Sequence, residues 1–419
     1  MSAQPETPPE ARAEPPQPGR NGVEADVIVV GAGPGGSTAA RSLAESGASV
    51  LLLDRARFPR DKPCGGGVTI RCANLLPFSL EPVIEDVIHG ARLRVREGAE
   101  VTRDSRLPLT YMTQRRRLDA FLAERAVEAG VDFRDGQQVT EVERLSGGYR
   151  VRTKDGTHCA RVVIGADGAN GVVGSQLGYE ANEDGAVALE GNVRFPGGVP
   201  DEFRGRVVLH FGEMPGGYGW VFPKGDHVNV GVGGWRAEAG PLLRPALHRL
   251  CRRYGMDPGT LEQLRGHHLP MQRRGARLTR KGSALVGDAA GLVDPLSGEG
   301  IYAALVSGMA VAPAVRDYLD GRVAGLDGYE ATLERELLPE VETSAQLMDI
   351  FHARPEPFVW MLQHVGPFWR GACRLLRGDS TYVDLSYFAG SRSHGLLSPA
   401  AAMGRLLVPR RRPDGGSRR

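Results

Sequence analysis

The residues best placed to do chemistry fall in a few short runs. In Val27-Ile-Val-Val-Gly31-Ala-Gly33-Pro34-Gly35-Gly36 an apolar stretch breaks into glycines. At such a break Gly31 permits a tight turn, Gly33 lets backbone approach a pyrophosphate, and Gly36 lets the next helix pack on the strand. Asp54 ends the following apolar run, Ser49 to Leu53. That is close to the ~20-residue offset at which an acid meets an adenosine ribose hydroxyl. Two later runs, Ile164-Gly-Ala-Asp167-Gly168 and Ala284-Leu-Val-Gly287-Asp288, end buried-strand patterns in glycine and aspartate. A carboxylate at Asp288 can accept from sugar-alcohol hydroxyls, and a helix opening at Gly300-Ile301 turns its positive end toward negative charge. Alone, Gly287-Asp288 also reads as an ordinary strand-to-helix turn with an aspartate cap. The three runs in this order point to a flavin dinucleotide, FAD, and so to electron or hydride transfer.

Two further runs carry chemistry of another kind. Phe58-Pro-Arg-Asp-Lys-Pro-Cys64-Gly65-Gly66-Gly67 ends in a loop whose glycines allow close approach to a flat ring. Cys64 is either a proton donor or a small packing residue, because thiol reactivity depends on its surroundings. In Gly217-Tyr218-Gly-Trp220-Val-Phe222-Pro223 three aromatic side chains alternate and so share one face of a strand. They either wall a slot for an apolar chain or form an inner-sheet core stripe. His267-His268 has no partner ligands at useful spacing, so no metal is expected.

The elements that must position these residues are legible. Val27–Val30 and Ser49–Leu53 read as strands around a helix of roughly Ser37–Ser46, and Leu118–Ala129 as a helix stopped by Gly130. Alternation in Val187–Val193 and Arg206–Phe211 predicts an antiparallel sheet with one wet face. The expected fold is α/β: a Rossmann-like FAD-binding domain, an inserted antiparallel β-sheet substrate domain and a helical C-terminal region. The boundaries are a disordered tail over 1–24, the FAD-binding domain over 25–182 and 276–320, the substrate domain over 183–275, the helical region over 321–403 and an Arg-rich tail over 404–419.

A chain of 419 residues can bury one large or two modest cores. Its net charge of +2 gives no case for nucleic acid, and its basic residues are nearly all arginine, the lysines being Lys62, Lys154, Lys224 and Lys281. Five unpatterned cysteines argue for a reducing, cytoplasmic setting. No apolar run reaches the ~20 residues of a membrane span. The aromatic-rich stretch from Phe351 to Trp369 with the Arg-rich tail is a candidate peripheral contact with a membrane, against the alternative of a solvated end.

With these runs in view, the chain resembles the geranylgeranyl reductase family, flavoenzymes within the aromatic-hydroxylase-like superfamily that saturate double bonds of isoprenoid chains. The resemblance covers about Ala25 to Tyr329 and rests most specifically on Pro63-Cys64-Gly65-Gly66 and Tyr218-x-Trp220-x-Phe222-Pro223. It implies FAD at Gly31, Gly33, Pro34, Gly35, Gly36, Asp54, Arg55, Cys64, Gly65, Gly66, Arg115, Val139, Asp167, Gly287, Asp288, Gly300 and Ile301. It implies a polyprenyl lipid or diphosphate as substrate, lined by Tyr218, Trp220 and Phe222. One departure is Gly171, where a serine often follows Gly-Ala-Asp-Gly-Ala-Asn.

An isoprenoid alkene is not electron-poor, so a proton must reach one carbon as hydride reaches the other; Cys64 and Tyr218 are the candidate catalytic donors. With one nucleotide fingerprint, the electron donor is NAD(P)H in transient contact or a small redox protein. The rival readings are a flavin-dependent monooxygenase or halogenase, and a non-catalytic flavin-binding redox protein.

Overall fold

A computed structural model describes residues 24–180, 185–271 and 275–388. The two tails, apart from Glu24, and the last C-terminal stretch lie outside the described residues. Glu24 itself is tied down: its amide donates to the Cys159 carbonyl and its carboxylate meets His158 and Arg134.

Strands Ser283–Leu285, Thr157–Gly165, Ala25–Val30, Val50–Leu53 and Asp132–Arg134 run parallel in that spatial order. Val27 to Val30, Val50 to Leu53 and Val162 to Ile164 are buried throughout, as strands covered on both faces must be. A hairpin of Val139–Leu145 and Gly148–Thr153 extends the sheet antiparallel to Thr157–Gly165. The helix Pro34–Glu45 starts on the residue type best suited to a first turn. It lies against the helix Ile301–Leu319, where a Cβ on Gly308 would stand 2.6 Å from the Gly35 carbonyl oxygen. That contact explains why the second helix carries small residues through its middle: it is packed against another helix. Among the described residues no helix is long and apolar enough to cross a membrane.

The second sheet has seven strands, in the order Glu262–Pro270, Gly185–Arg194, His227–Trp235, Tyr218–Pro223, Arg206–Phe211, Gly90–Val95 and Val101–Asp104. All pairings are antiparallel except Arg206–Phe211 with Gly90–Val95. The last two strands come from the first part of the chain, well before Gly185, where the sheet's insert-derived strands begin. Val208, Val221, Val228, Val230 and Val232 pack one face of this sheet under the helix Leu243–Arg253. On Gly185–Arg194 the face that carries Glu190, expected to be wet, instead looks inward onto the nucleotide domain, while Arg206–Phe211 turns its apolar Val207 and Leu209 that way.

The C-terminal helices Pro355–His364 and Gly366–Arg377 seal the far edge of the second sheet. Of the aromatic patch expected there, Phe351 packs on Phe211, and Trp369 is buried with its indole N–H donating to the Asp104 carbonyl. Trp360 and Phe368 remain exposed, at 56% and 37%.

Candidate active site

Where the two sheets face each other a cavity of about 760 Å³ opens, within the range typical of ligand sites. It is lined by every expected site residue but one: Gly36 sits behind the wall, where a Cβ would lie 1.7 Å from the Gly31 carbonyl oxygen. Gly31 itself has φ +101, and a Cβ there would strike the Ala166 carbonyl at 2.3 Å. A side chain at either position would push the helix Pro34–Glu45 off the strand that aims it.

At one end Asp54, Arg55, Val139 and Asp167 line the wall. The Asp54 carboxylate accepts the Ala32 and Ala56 amides at 2.8 Å each, so it also ties the glycine turn to the neighbouring strand. Asp167 accepts from the amides of Val172 (2.6 Å) and Val173 (3.0 Å), leaving its buried Oδ1 without a hydrogen-bond partner. Burial raises its pKa. The departure at Gly171 is explained here: a Cβ would come 2.1 Å from the Asp167 carboxyl carbon.

In the middle, Arg115 opens the helix Arg115–Glu128 and pairs bidentately with Asp119, at 2.7 Å through both Nε and Nη2. Arg60 joins from the other side at 2.6 Å. Burial alone would lower the Arg115 pKa, but the Asp119 carboxylate beside it raises it instead. A Cβ on Gly33 would point at both guanidinium groups, 3.7 Å from Arg60 and 3.9 Å from Arg115. Two fixed cations facing a glycine turn at a helix N-terminus form a cradle for a pyrophosphate.

Asp288 lies further along, 2.9 Å from the Lys62 ammonium and 3.7 Å from His267 Nε2. Burial pushes its pKa up, but Lys62 and His267 outweigh that and hold the carboxyl well below the ordinary range. His267 therefore faces a carboxylate in the cavity. The helix Ile301–Leu319 opens beside them, with Gly300 as its cap.

The Cys64–Gly67 loop crosses the remaining opening and meets the aromatic strand. A Cβ on Gly65 would stand 2.8 Å from the Phe222 ring. Register explains the wall behind it. Tyr218, Trp220 and Phe222 pair with Gly233, Gly231 and Asn229, which in turn pair with Ala188, Glu190 and Asn192. All these residues share one sheet face, and a Cβ on Gly231 would fall 2.0 Å from the Trp220 indole, so the ring lies across the space this glycine leaves. The indole N–H donates to Asn229 Oδ1 at 2.8 Å. Tyr218 donates its hydroxyl proton to the Ser297 carbonyl, and burial raises its pKa. Cys64 is half-buried, and its Sγ accepts from the Gly66 amide at 3.3 Å.

Two groups here were not singled out from sequence. Glu190 is 8% exposed, and its Oε1 accepts the Cys64 amide at 2.6 Å. Burial pushes its pKa up to about 7. Lys224 is buried too; its ammonium donates to the carbonyls of Gly65 and, at 3.0 Å, Thr113. Burial lowers its pKa to about 8. Lys224 directly follows the Tyr-x-Trp-x-Phe-Pro run and is one of few lysines in the chain, which was a usable signal.

The FAD binding domain family matches residues 24–337. A digeranylgeranylglycerophospholipid reductase of Methanothrix thermoacetophila is 32% identical over 344 residues, 78% of this chain and 87% of the relative. The chain belongs to the geranylgeranyl reductase family of FAD-dependent oxidoreductases. A crystal structure of a geranylgeranyl bacteriochlorophyll reductase-like protein from Thermoplasma acidophilum superposes with TM-score 0.71 at 26% identity, covering 84% of this chain and 96% of that one. A flavin-dependent brominase superposes with TM-score 0.69 over 90% of this chain and 99% of its own, but at 19% identity this likeness concerns the fold alone. FAD suits the residues present: the cradle at Gly33, Arg60 and Arg115 matches its pyrophosphate, and the unpartnered Asp167 Oδ1 marks a polar contact still to be made.

Proposed function

We propose that this protein is an FAD-dependent reductase that saturates C=C bonds of a polyprenyl chain, geranylgeranyl or similar. The observation that carries the reading is the wall of Tyr218, Trp220 and Phe222, which faces the Cys64–Gly67 loop inside the cavity that also contains the glycine turn and Asp288. Bound and reduced, FAD supplies the hydride. The chain's own residues do the rest. Gly31 to Gly36 and the helix behind them hold the pyrophosphate, with Arg60 and Arg115 compensating its charge; Asp54 and Asp167 hold the adenosine end; Asp288, Gly300 and Ile301 hold the ring end.

The aromatic wall holds the isoprenoid and excludes water. Burying roughly ten carbons at ~0.8 kcal/mol each provides about 8 kcal/mol, so recognition of the chain needs no charged anchor. The aromatic faces also steady positive character developing on the alkene through their quadrupoles. Of the two candidate donors, Cys64 stands at the slot, while the Tyr218 proton is already directed at the Ser297 carbonyl. For a lipid-borne chain the approach lies past the helix Gly366–Arg377, whose Leu376 lines the cavity and whose Phe368 is exposed, and we assign peripheral membrane contact to this side.

The test is mass spectrometry of a digeranylgeranyl glycerophospholipid and of geranylgeranyl diphosphate after incubation with chemically reduced holoenzyme in the absence of oxygen. Gain of hydrogen pairs by either is expected. Products formed only with oxygen, carrying a hydroxyl or a halogen, would overturn the reading in favour of a monooxygenase or halogenase.

A further inference from the structure

The slot walled by Tyr218, Trp220 and Phe222 contains a carboxyl group. Glu190 lies in the same register row as Trp220, separated from it by Gly231. Because Gly231 has no side chain, the indole extends across it toward the Glu190 strand. The carboxyl is thus part of the cavity wall, beside the loop that Cys64 begins, and is almost entirely withdrawn from solvent.

We propose that Glu190 is the acid that delivers the proton when the polyprenyl double bond is reduced. This rests on the reductase reading above. In the step, the alkene π bond breaks; one carbon gains hydride from reduced FAD, and the other gains the proton of the Glu190 carboxyl. The alkene gains two electrons and the flavin loses two. The O–H bond breaks to leave a carboxylate, which water reprotonates before the next turnover.

The surroundings suit an acid that must be neutral before the step. Its neighbours are few and most are committed elsewhere. Lys224, at the end of the aromatic strand, donates to the Gly65 and Thr113 carbonyls. Arg265, the register partner of Glu190 on the outer strand, reaches Asp61 at 3.4 Å. His267, two residues on, turns to Asp288. Asn229 and the Cys64 amide are neutral, and Asp61 opposes ionisation. Burial therefore outweighs Lys224, and an apolar chain laid alongside dries the carboxyl further. Tyr218 is less suited, since its proton is engaged and its pKa is raised.

E190Q keeps an acceptor for the Cys64 amide and removes the acid. The experiment mixes anaerobically reduced holoenzyme with a digeranylgeranyl glycerophospholipid in micelles and follows flavin reoxidation against pH. Loss of a general acid slows such a step by ~10²- to 10⁴-fold. The expected result is a loss of that size in E190Q with normal FAD content, and a wild-type rate that falls as pH rises through neutrality. A variant within about threefold of wild type, with the same pH profile, overturns the proposal while leaving the reductase reading intact. Wild-type enzyme that no polyprenyl substrate reoxidises overturns the reading and the proposal together. A second measurement needs no substrate: the infrared band of a protonated carboxyl in oxidised holoenzyme should titrate near neutral pH and be missing from E190Q. Its absence from wild type at mildly acidic pH would also refute the assignment.

Discussion

Glu190 makes a prediction about stability that does not depend on turnover. In the fold its pKa stands at about 7, against an ordinary 4.5, because burial penalises the charged form. The fold therefore prefers the protonated carboxyl. That contribution is fully present below the unfolded value and is lost as pH rises through the folded one. At ~1.4 kcal/mol per pH unit, the gap amounts to about 3 kcal/mol. E190Q has no such loss, since an amide stays neutral. Urea unfolding of the two holoenzymes at matched FAD concentration, at about pH 5 and about pH 8.5, should show the stability of E190Q relative to wild type rising by about 2 to 3 kcal/mol across that interval. Unfolding curves that shift in parallel would mean that Glu190 has the same pKa folded and unfolded, and the burial argument would fail.

Three other substitutions probe the cavity. G231A places a Cβ where the Trp220 ring lies, 2.0 Å away; overpacking of this kind costs about 1–3 kcal/mol, so a lowered Tm and weakened use of a polyprenyl substrate are expected with FAD still bound. D119N removes the anion between the buried Arg115 and the half-buried Arg60 guanidinium groups, and breaking such a cluster costs about 3–5 kcal/mol, read as a lower urea midpoint. D288A leaves Lys62 and His267 facing an apolar wall and removes the proposed contact at the ring end of the cofactor. The ratio of flavin to protein absorbance in the purified variant should fall; an unchanged ratio would place Asp288 outside FAD binding.

The nucleotide half was legible because its geometry is local. The strand, the glycine turn and the helix after it lie between Ala25 and Glu45, so Gly31 to Gly36 declare the turn directly. The alternation of Tyr218, Trp220 and Phe222 likewise survives in one dimension, and the structure lays all three along one cavity wall. The cations were harder. Arg60, Lys62 and Lys224 act by reaching across from loops and strand ends to partners far along the chain, such as Asp119 and Asp288, and spacing does not encode such pairings. Two strands of the second sheet were also missed, since Gly90–Val95 joins through parallel pairing with Arg206–Phe211 and no hairpin signal announces that.

Glu190 shows a subtler failure, and its cause is physical. In Val187–Val193 the alternation predicts a face open to water, and Glu190 falls on that face. Period-2 patterning identifies which residues share a face; it does not identify what the face looks onto. Here both faces are covered, one by the helix Leu243–Arg253 and the other by the nucleotide domain across the cavity. Glu190, Gly231 and Trp220 belong to three different strands, and only their register brings an acid, a gap and an aromatic ring into one row. A ring laid over a glycine would serve a packing core equally well, but a buried acid beside them would not, because its charge would find no ion-pair partner there. They make sense in a wall that must hold an apolar chain against a proton source, which is why the row argues for chemistry more strongly than any one of its members.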